Sequence, residues 1–228
     1  MDQDVDTRLA DEYRDARRRM TAMAAELDAG DTTMVPACPA WTVGDLLAHV
    51  TGLASDLGAG RRPEGDTQVW VDGQIAERHG RPPAAIAAEW EATAPAFEAL
   101  IEAKPHRWWG LVYDVLVHEH DLRGAIDQPG EREGESTEVA LALGLRLVHG
   151  DLAKRDLPAF RVVTGGEDHV VGVGPVELTL EATPFEALRL LGSRRTMEQL
   201  RAASFTGDLD RYLPGLLHMD PPAHDLGE

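Results

Sequence analysis

The sequence has one cysteine, few basic residues and no long apolar segment, and each shortage excludes a class of protein. Cys38 is the only cysteine in 228 residues, so the chain cannot form an internal disulfide. The 22 Lys and Arg residues stand against 40 Asp and Glu, and the resulting net charge of −18 would repel a nucleic-acid backbone. No apolar run approaches the roughly 18 residues that a membrane span requires. We therefore expect neither nucleic acid nor a membrane as a partner.

Familiar local signatures are also missing. Residues 1–6 contain neither the basic nor the apolar region of a signal peptide, which predicts a soluble cytoplasmic protein. The sequence contains no His-Glu-x-x-His motif, no Walker loop and no Gly-x-Gly-x-x-Gly fingerprint that opens a helix. A functional site must therefore be sought among residues that are distant in sequence.

The hydrophobic pattern changes character along the chain. Apolar residues recur at intervals of three and four in the first part, which predicts helices at 5–27, 42–57, 84–103, 108–126 and 136–153. A Gly- and Pro-rich loop with one short helix is expected at 58–83, between the second and third of these helices. Residues 31–41 are expected to be a connector, and Pro95 is expected to kink or break the helix at 84–103. After Pro158, short β-rich runs alternate with turn residues and predict a small antiparallel sheet with helices. The predicted fold is α+β, with an up-down helical bundle at 1–155 and a small α+β domain at 158–228.

One set of polar residues matches the composition of a metal site. Asp114 and His118 are four residues apart in an apolar helical segment, so their side chains lie one turn apart on the same face. With His49 from another helix, they supply two imidazoles and one carboxylate. That composition is typical of a catalytic zinc site or of another open first-row metal site.

Neighbouring residues have simpler interpretations. Asp121 lies about one turn after His118, where it could orient that imidazole. Asp45 lies one turn before His49, and capping of the helix that starts near Thr42 explains it as well as metal ligation does. Glu119 and His120 point away from the Asp114 face, and a solvated polar surface is the expected role for both.

Two further residue types allow a catalytic and a structural interpretation. Cys38 lies in a loop that Pro36 and Pro39 make rigid, and the sequence places no base near it, which favours a structural thiol over a nucleophile. Arg194 and Arg195 follow an apolar helix, where cations complement the helix dipole. Alternatively, one of them binds a substrate carboxylate through both guanidinium nitrogens.

The chain resembles the actinobacterial, mycothiol-dependent maleylpyruvate isomerase family, whose N-terminal domain belongs to the DinB-like metal-binding bundles. Together, the matching segments span nearly the whole chain in the expected order. They are Val35-Pro36-Ala37-Cys38-Pro39-Ala40-Trp41-Thr42-Val43 with Leu46-Leu47-Ala48-His49, then Asp114 to Asp121 with Ala125, and finally Leu190-Leu191-Gly192-Ser193-Arg194-Arg195 with Phe205-Thr206-Gly207-Asp208.

The resemblance implies a divalent metal, commonly zinc, held by His49, Asp114 and His118. It also implies an arginine of the C-terminal domain that faces the metal, and Arg194 is the best match. One difference is that the family usually has Glu where this chain has Asp114, and the shorter side chain must lie closer to the ion.

The function that the resemblance implies is thiol-dependent chemistry. A metal would bind a low-molecular-weight thiol such as mycothiol as the thiolate, for isomerisation or S-transfer on a small electrophilic substrate that carries a carboxylate. Two other classes remain open on the sequence. They are a non-catalytic stress protein that binds a metal or a small molecule, and a metal-dependent hydrolase that needs no thiol.

Overall fold

The computed structural model describes residues 3–130 and 132–228 and divides into an N-terminal unit, up to Gln128, and a C-terminal unit, from Pro129. The first contains α1 (Gln3–Glu26), β1 (Met34–Val35), β2 (Cys38–Thr42), α2 (Val43–Gly58), α3 (Thr67–Arg78), α4 (Pro83–Ala103) and α5 (Pro105–Ala125). The second contains α6 (Glu135–Lys154), β3 (Ala159–Thr164), β4 (Glu167–Val171), β5 (Val176–Ala182), α7 (Pro184–Leu191), α8 (Met197–Ala202), β6 (Ser204–Gly207) and α9 (Leu209–Leu216). This arrangement confirms the predicted fold class, a helical bundle followed by an α+β part. Within the described ranges, no helix has the length and apolar composition needed to cross a membrane.

The N-terminal unit is a bundle in which α1, α2, α4 and α5 pack together. The spacing in α1 explains its place, because Leu9, Tyr13 and Met20 form one apolar face and are all buried. Tyr13 also has a polar partner, since Trp90 Nε1 on α4 donates to its hydroxyl at 2.9 Å. The close contact of α2 with α3 depends on Gly52, where a Cβ atom would lie 2.6 Å from the Cβ of Gln74.

Two local features of this unit differ from the sequence prediction. Residues 31–41 were expected to be an irregular connector, but they include the antiparallel strands β1 and β2. Pro95 was expected to kink or break α4, yet the helix continues through it. Pro95 lies on the exposed side of the helix, where water can hydrogen-bond to the carbonyl that loses its backbone donor.

Helix α6 lies in the C-terminal unit rather than in the bundle where the sequence placed it. Its apolar face, which includes Leu141, Leu145 and Val148, belongs to one buried cluster with Phe160 of β3 and Leu178 of β5. Periodicity showed that α6 is amphipathic, but it could not show which of two cores the apolar face would cover.

The sheet of the C-terminal unit is mixed rather than antiparallel, with the strand order β4-β3-β5-β6. Strands β3 and β4 form a hairpin closed by Gly165 and Gly166, which both have positive φ. The turn after β4 reverses the chain again, and β5 then pairs with the free edge of β3, to which it is parallel. The prediction of an antiparallel sheet was wrong because turn residues fix the direction of a strand but not its partner.

Candidate metal centre

The start of α2 determines where His49 lies. Thr42 Oγ1 accepts a hydrogen bond from the backbone N–H of Asp45 at 3.2 Å, and the Asp45 carboxylate accepts from the N–H of Thr42 at 2.9 Å. This capping box fixes the first turn, and His49 follows one turn after Asp45 with its side chain buried. Asp45 therefore has the capping role that the sequence offered for it.

Helix α5 brings the other two predicted ligands to His49. Asp114 Oδ2 lies 3.2 Å from Nε2 of His49, and Asp114 Oδ1 lies 3.5 Å from Nε2 of His118. Both imidazoles are buried, whereas the Asp114 side chain remains 31% exposed. The structure thus brings the three residues together, with the carboxylate between the two rings and open to solvent on one side.

The geometry and the donor set of this cluster fit a divalent cation. The ligand atoms of His49, Asp114 and His118 all lie within 4.8 Å of one another. Ligand atoms at 2.0–2.1 Å from a tetrahedral zinc ion are about 3.3 Å apart, which falls between the two measured separations. The partial exposure of Asp114 leaves access for a fourth ligand. Nδ1 of His49 is buried without a hydrogen-bond partner among the described residues. A cation bound at Nε2 would place the ring proton on Nδ1 and so fix the tautomer.

The charges of the cluster are strongly coupled. Burial raises the pKa of Asp114, but the adjacent imidazoles of His118 and His49 outweigh that effect and hold the pKa well below its usual value. Burial lowers the pKa of His118, yet the Asp114 carboxylate and the hydrogen bond to Asp121 raise it well above its usual value. The metal-free cluster is therefore an ion pair, and a cation must displace the proton of His118.

A family model described as the mycothiol maleylpyruvate isomerase N-terminal domain matches residues 13–123, a range that contains the whole cluster. The match covers most of the N-terminal unit, which is similar to this family. A comparison with curated proteins finds no match.

Two solved structures are similar to the chain beyond this domain. They are crystal structures of the mycothiol-dependent maleylpyruvate isomerase and of a point mutant of it, at 13% and 12% sequence identity. Each match covers 82% of this chain and 88% of the other, with a TM-score of 0.54. At this identity, the similarity establishes a shared fold.

In the N-terminal unit, Trp41 covers both imidazoles of the cluster. Its ring centroid lies 5.1 Å from that of His49 and 5.8 Å from that of His118. This packing of Trp41 on the imidazoles was not predicted from the sequence. Trp41 directly precedes the helix cap and is therefore held close to the first turn of α2. The packing keeps water from one side of the two rings and restricts their rotation.

A cleft of about 560 Å³ adjoins Trp41 on the surface of the same unit. Trp41 and Ile75 form apolar parts of its lining, and Asp45, Asp72 and His79 form the polar part. None of the described residues that line it is Lys or Arg. The cleft therefore suits a neutral or cationic polar group better than a carboxylate.

Cys38 and Asp121 form a second layer behind His118. Nδ1 of His118 lies 3.0 Å from Asp121 Oδ2, and Cys38 Sγ lies 3.9 Å from the same oxygen. The sequence showed no base near Cys38, because Asp121 is 83 positions away from it in the chain. The thiol is thus close to polar side chains that only the fold could reveal.

The remaining candidates have structural partners. Glu119 was expected on a solvated face, but it is buried and accepts hydrogen bonds from Arg19, which ties α1 to α5, and from Arg123 of its own helix. In the C-terminal unit, Arg195 donates to Glu186 at 3.0 Å and to Glu228 at 3.0 Å. The expectation of a solvated surface was wrong for Glu119, whose ion pairs stabilise the bundle.

Arg194 is held in a defined place after α7. The N–H of Ser193 donates to Leu190 O and the N–H of Arg194 donates to Arg189 O, which is the hydrogen-bond pattern of a Schellman motif. Ser193 takes the left-handed position of this motif, with φ of 58°. The Arg194 side chain is buried, and its Nη1 donates to Gly192 O at 2.7 Å. Its role toward the cluster stays a prediction.

We expect the stabilisation by zinc to increase with pH. The raised pKa of His118 means that the ion pair stabilises the metal-free fold fully below its unfolded pKa of about 6.5, and that this contribution is lost as the pH rises through the folded pKa. The lowered pKa of Asp114 adds a contribution that is lost only as the pH falls through its folded value. Zinc competes with the His118 proton, so the affinity of the cluster for zinc rises with pH over the same pH range.

The measurement is the melting temperature with zinc minus that with chelator, taken between about pH 6 and pH 8. The difference should widen steadily toward the alkaline end. A difference that is constant over this range would contradict the assignment of His118 as a ligand that must lose its proton.

Proposed function

We propose that this protein is a metal-dependent enzyme that uses a low-molecular-weight thiol, such as mycothiol, on a small electrophilic substrate that carries a carboxylate. The observation that supports it most is the meeting of His49, Asp114 and His118 in a solvent-accessible cluster of catalytic-zinc composition. The family to which the N-terminal unit is similar supports the choice of thiol.

The residues of the cluster would hold the ion and leave one position open. Nε2 of each imidazole and an oxygen of Asp114 are the ligand atoms, and Trp41 shields the imidazoles from water. The bound ion would lower the pKa of a coordinated thiol far enough for the thiolate to be the reacting form at neutral pH. Since Asp is shorter than Glu, its backbone must lie close to the ion, and its position on the same helix face as His118 provides this.

The sulfur of the thiol would add to an electrophilic carbon of the substrate. If that carbon belongs to a cis double bond, addition leaves a single bond that can rotate, and loss of the sulfur restores the double bond in the trans form. The thiol is then regenerated, whereas retention of the new carbon–sulfur bond gives net S-transfer. We assign Arg194 to the substrate carboxylate, because its planar guanidinium can bind both oxygens and balance the charge that develops on addition.

The cleft beside Trp41 is the proposed place for the remainder of the thiol. Trp41 lines the cleft and also packs against the imidazoles, so a molecule in the cleft would lie close to the reacting centre. The Asp45 and Asp72 carboxylates would repel the acid substrate and can accept hydrogen bonds from hydroxyl or amide groups. The charge of the lining thus favours the thiol over the acid substrate in the cleft.

Turnover assays with a cis unsaturated diacid distinguish the proposed enzyme from its alternatives. We expect conversion only when both zinc and mycothiol are present, with the isomer or the thioether adduct as product. Activity with zinc alone would indicate a hydrolase that uses water. Metal binding without turnover of any unsaturated acid or thiol-reactive electrophile would indicate a binding protein.

Cys38 is expected to contribute structure rather than chemistry in these assays. Cys38→Ser should keep most of the thiol-dependent turnover, since the nucleophilic sulfur comes from the added thiol. The measurement is kcat/KM for wild type and variant, with metal content and circular dichroism as controls. A loss of roughly a hundredfold, or about 2.7 kcal/mol of transition-state stabilisation, with metal and fold retained would show that Cys38 is itself the nucleophile.

A further inference from the structure

We infer that Asp121 is a positioning residue that fixes the tautomer of His118, with the Cys38 thiol as an outer donor to the same carboxylate. This inference rests on the proposed metal centre and adds what determines its affinity. It assigns Nε2 of His118 to the ion, and it gives Cys38 a place in the centre without making it a ligand or a nucleophile.

Asp121 and His118 lie within hydrogen-bond distance of each other. Asp121 lies one turn after His118 on α5, and its Oδ2 is 3.0 Å from Nδ1, a normal hydrogen-bond distance. The Asp121 side chain is 0% exposed, so its charge needs a donor to offset the loss of hydration. With the proton held on Nδ1, the lone pair of His118 is on Nε2, which faces Asp114.

Cys38 is also close to Asp121. Its Sγ is 3.9 Å from Asp121 Oδ2, within reach of a weak S–H hydrogen bond. Cys38 begins strand β2, which leads directly into the cap of α2 at Thr42. The thiol therefore connects the segment that carries Trp41 to the helix that carries Asp121 and His118.

Cys38, His118 and Asp121 also lie close enough together to be ligands of an ion of their own. An ion there would take Nδ1 of His118 while the first ion takes Nε2, which would require an imidazole without any proton. It would also break the hydrogen bond that compensates the buried Asp121. We therefore favour one ion, at Nε2, with Asp121 and Cys38 behind the ring.

The first experiment measures zinc affinity by competition with a chelator. Asp121→Asn keeps the size of the side chain but removes its charge, and we expect an affinity about 10- to 100-fold below that of wild type. The matched control is Asp56→Asn, which neutralises a buried carboxylate of the same unit that pairs with Arg61 and Gln74. Asp56→Asn should lower the melting temperature without changing zinc affinity, whereas Asp121→Asn should change the affinity.

Two spectroscopic measurements test the same assignment, and the first needs no variant. Nitrogen NMR of the zinc-loaded wild type should show His118 bound through Nε2 and protonated on Nδ1. Cobalt-loaded wild type should lack a thiolate-to-cobalt charge-transfer band, and Cys38→Ser should leave its visible spectrum unchanged.

Several outcomes would overturn the inference. Binding through Nδ1, a thiolate band that Cys38→Ser removes, or equal zinc affinity of wild type and folded Asp121→Asn would each contradict it and leave the proposed function standing. Failure of the wild type to bind zinc at all would overturn both together.

Discussion

The His118→Ala variant is expected to lose zinc binding, with an affinity lower by roughly a hundredfold or more, which corresponds to about 2.8 kcal/mol. His118 supplies one of three protein ligands, and its imidazole also pairs with the Asp114 carboxylate, which lies 3.5 Å away. Elemental analysis after dialysis against a weak chelator measures the loss. Zinc per chain should be close to one for wild type and close to zero for the variant.

Controls separate loss of the ligand from loss of the fold. His118→Ala also removes a hydrogen-bond partner of the buried Asp121, so His49→Ala is the second variant, because it removes a ligand and keeps the hydrogen bond between His118 and Asp121. The matched control is His120→Ala, on the same helix but outside the described cluster. Equal zinc content in wild type, His118→Ala and His49→Ala would show that these residues share no metal.

The parts of the fold that the sequence predicted well are those set by neighbouring residues. The periodicity of α1 and the Thr42–Asp45 cap of α2 depend on contacts three or four positions apart, and both have the predicted form. The pairing of Asp114 with His118 is also local, since α5 alone places the two side chains together. Only the addition of His49 needed more than one helix, and there the family resemblance supplied what periodicity could not.

The features that the sequence could not predict depend on which elements meet. Strand β5 could pair with more than one strand edge, and α6 could cover either of two cores. In both cases the alternative partners have similar apolar character. The same holds for Cys38, whose interpretation as an isolated thiol changed when the fold placed Asp121 beside it. Local patterns therefore predicted elements, a helical ligand pair and the place of Asp121 beside His118, while the place of Cys38 needed the tertiary structure.

The Arg194→Ala variant is expected to lower turnover by roughly a hundredfold or more, and Arg194→Lys by about tenfold, with metal content unchanged. Lysine keeps the charge but loses the planar pair of donors that a carboxylate matches. The assay is kcat and KM for the unsaturated acid at saturating thiol. Because the Schellman motif after α7 is formed by backbone atoms and a lysine ammonium can also donate to Gly192 O, the lysine variant should also keep its melting temperature.

Arg195→Lys is the matched control, since Arg195 is the adjacent guanidinium and is bound by Glu186 and Glu228. Loss of the planar guanidinium of Arg195 should lower the melting temperature and leave turnover nearly intact, which is the reverse of the result expected for Arg194→Lys. The two arginines are one position apart, so this contrast separates binding of the acid from stabilisation of the C-terminal unit. If Arg194→Ala and Arg194→Lys both turn over at the wild-type rate, then Arg194 only stabilises the end of α7, and another group must bind the substrate carboxylate.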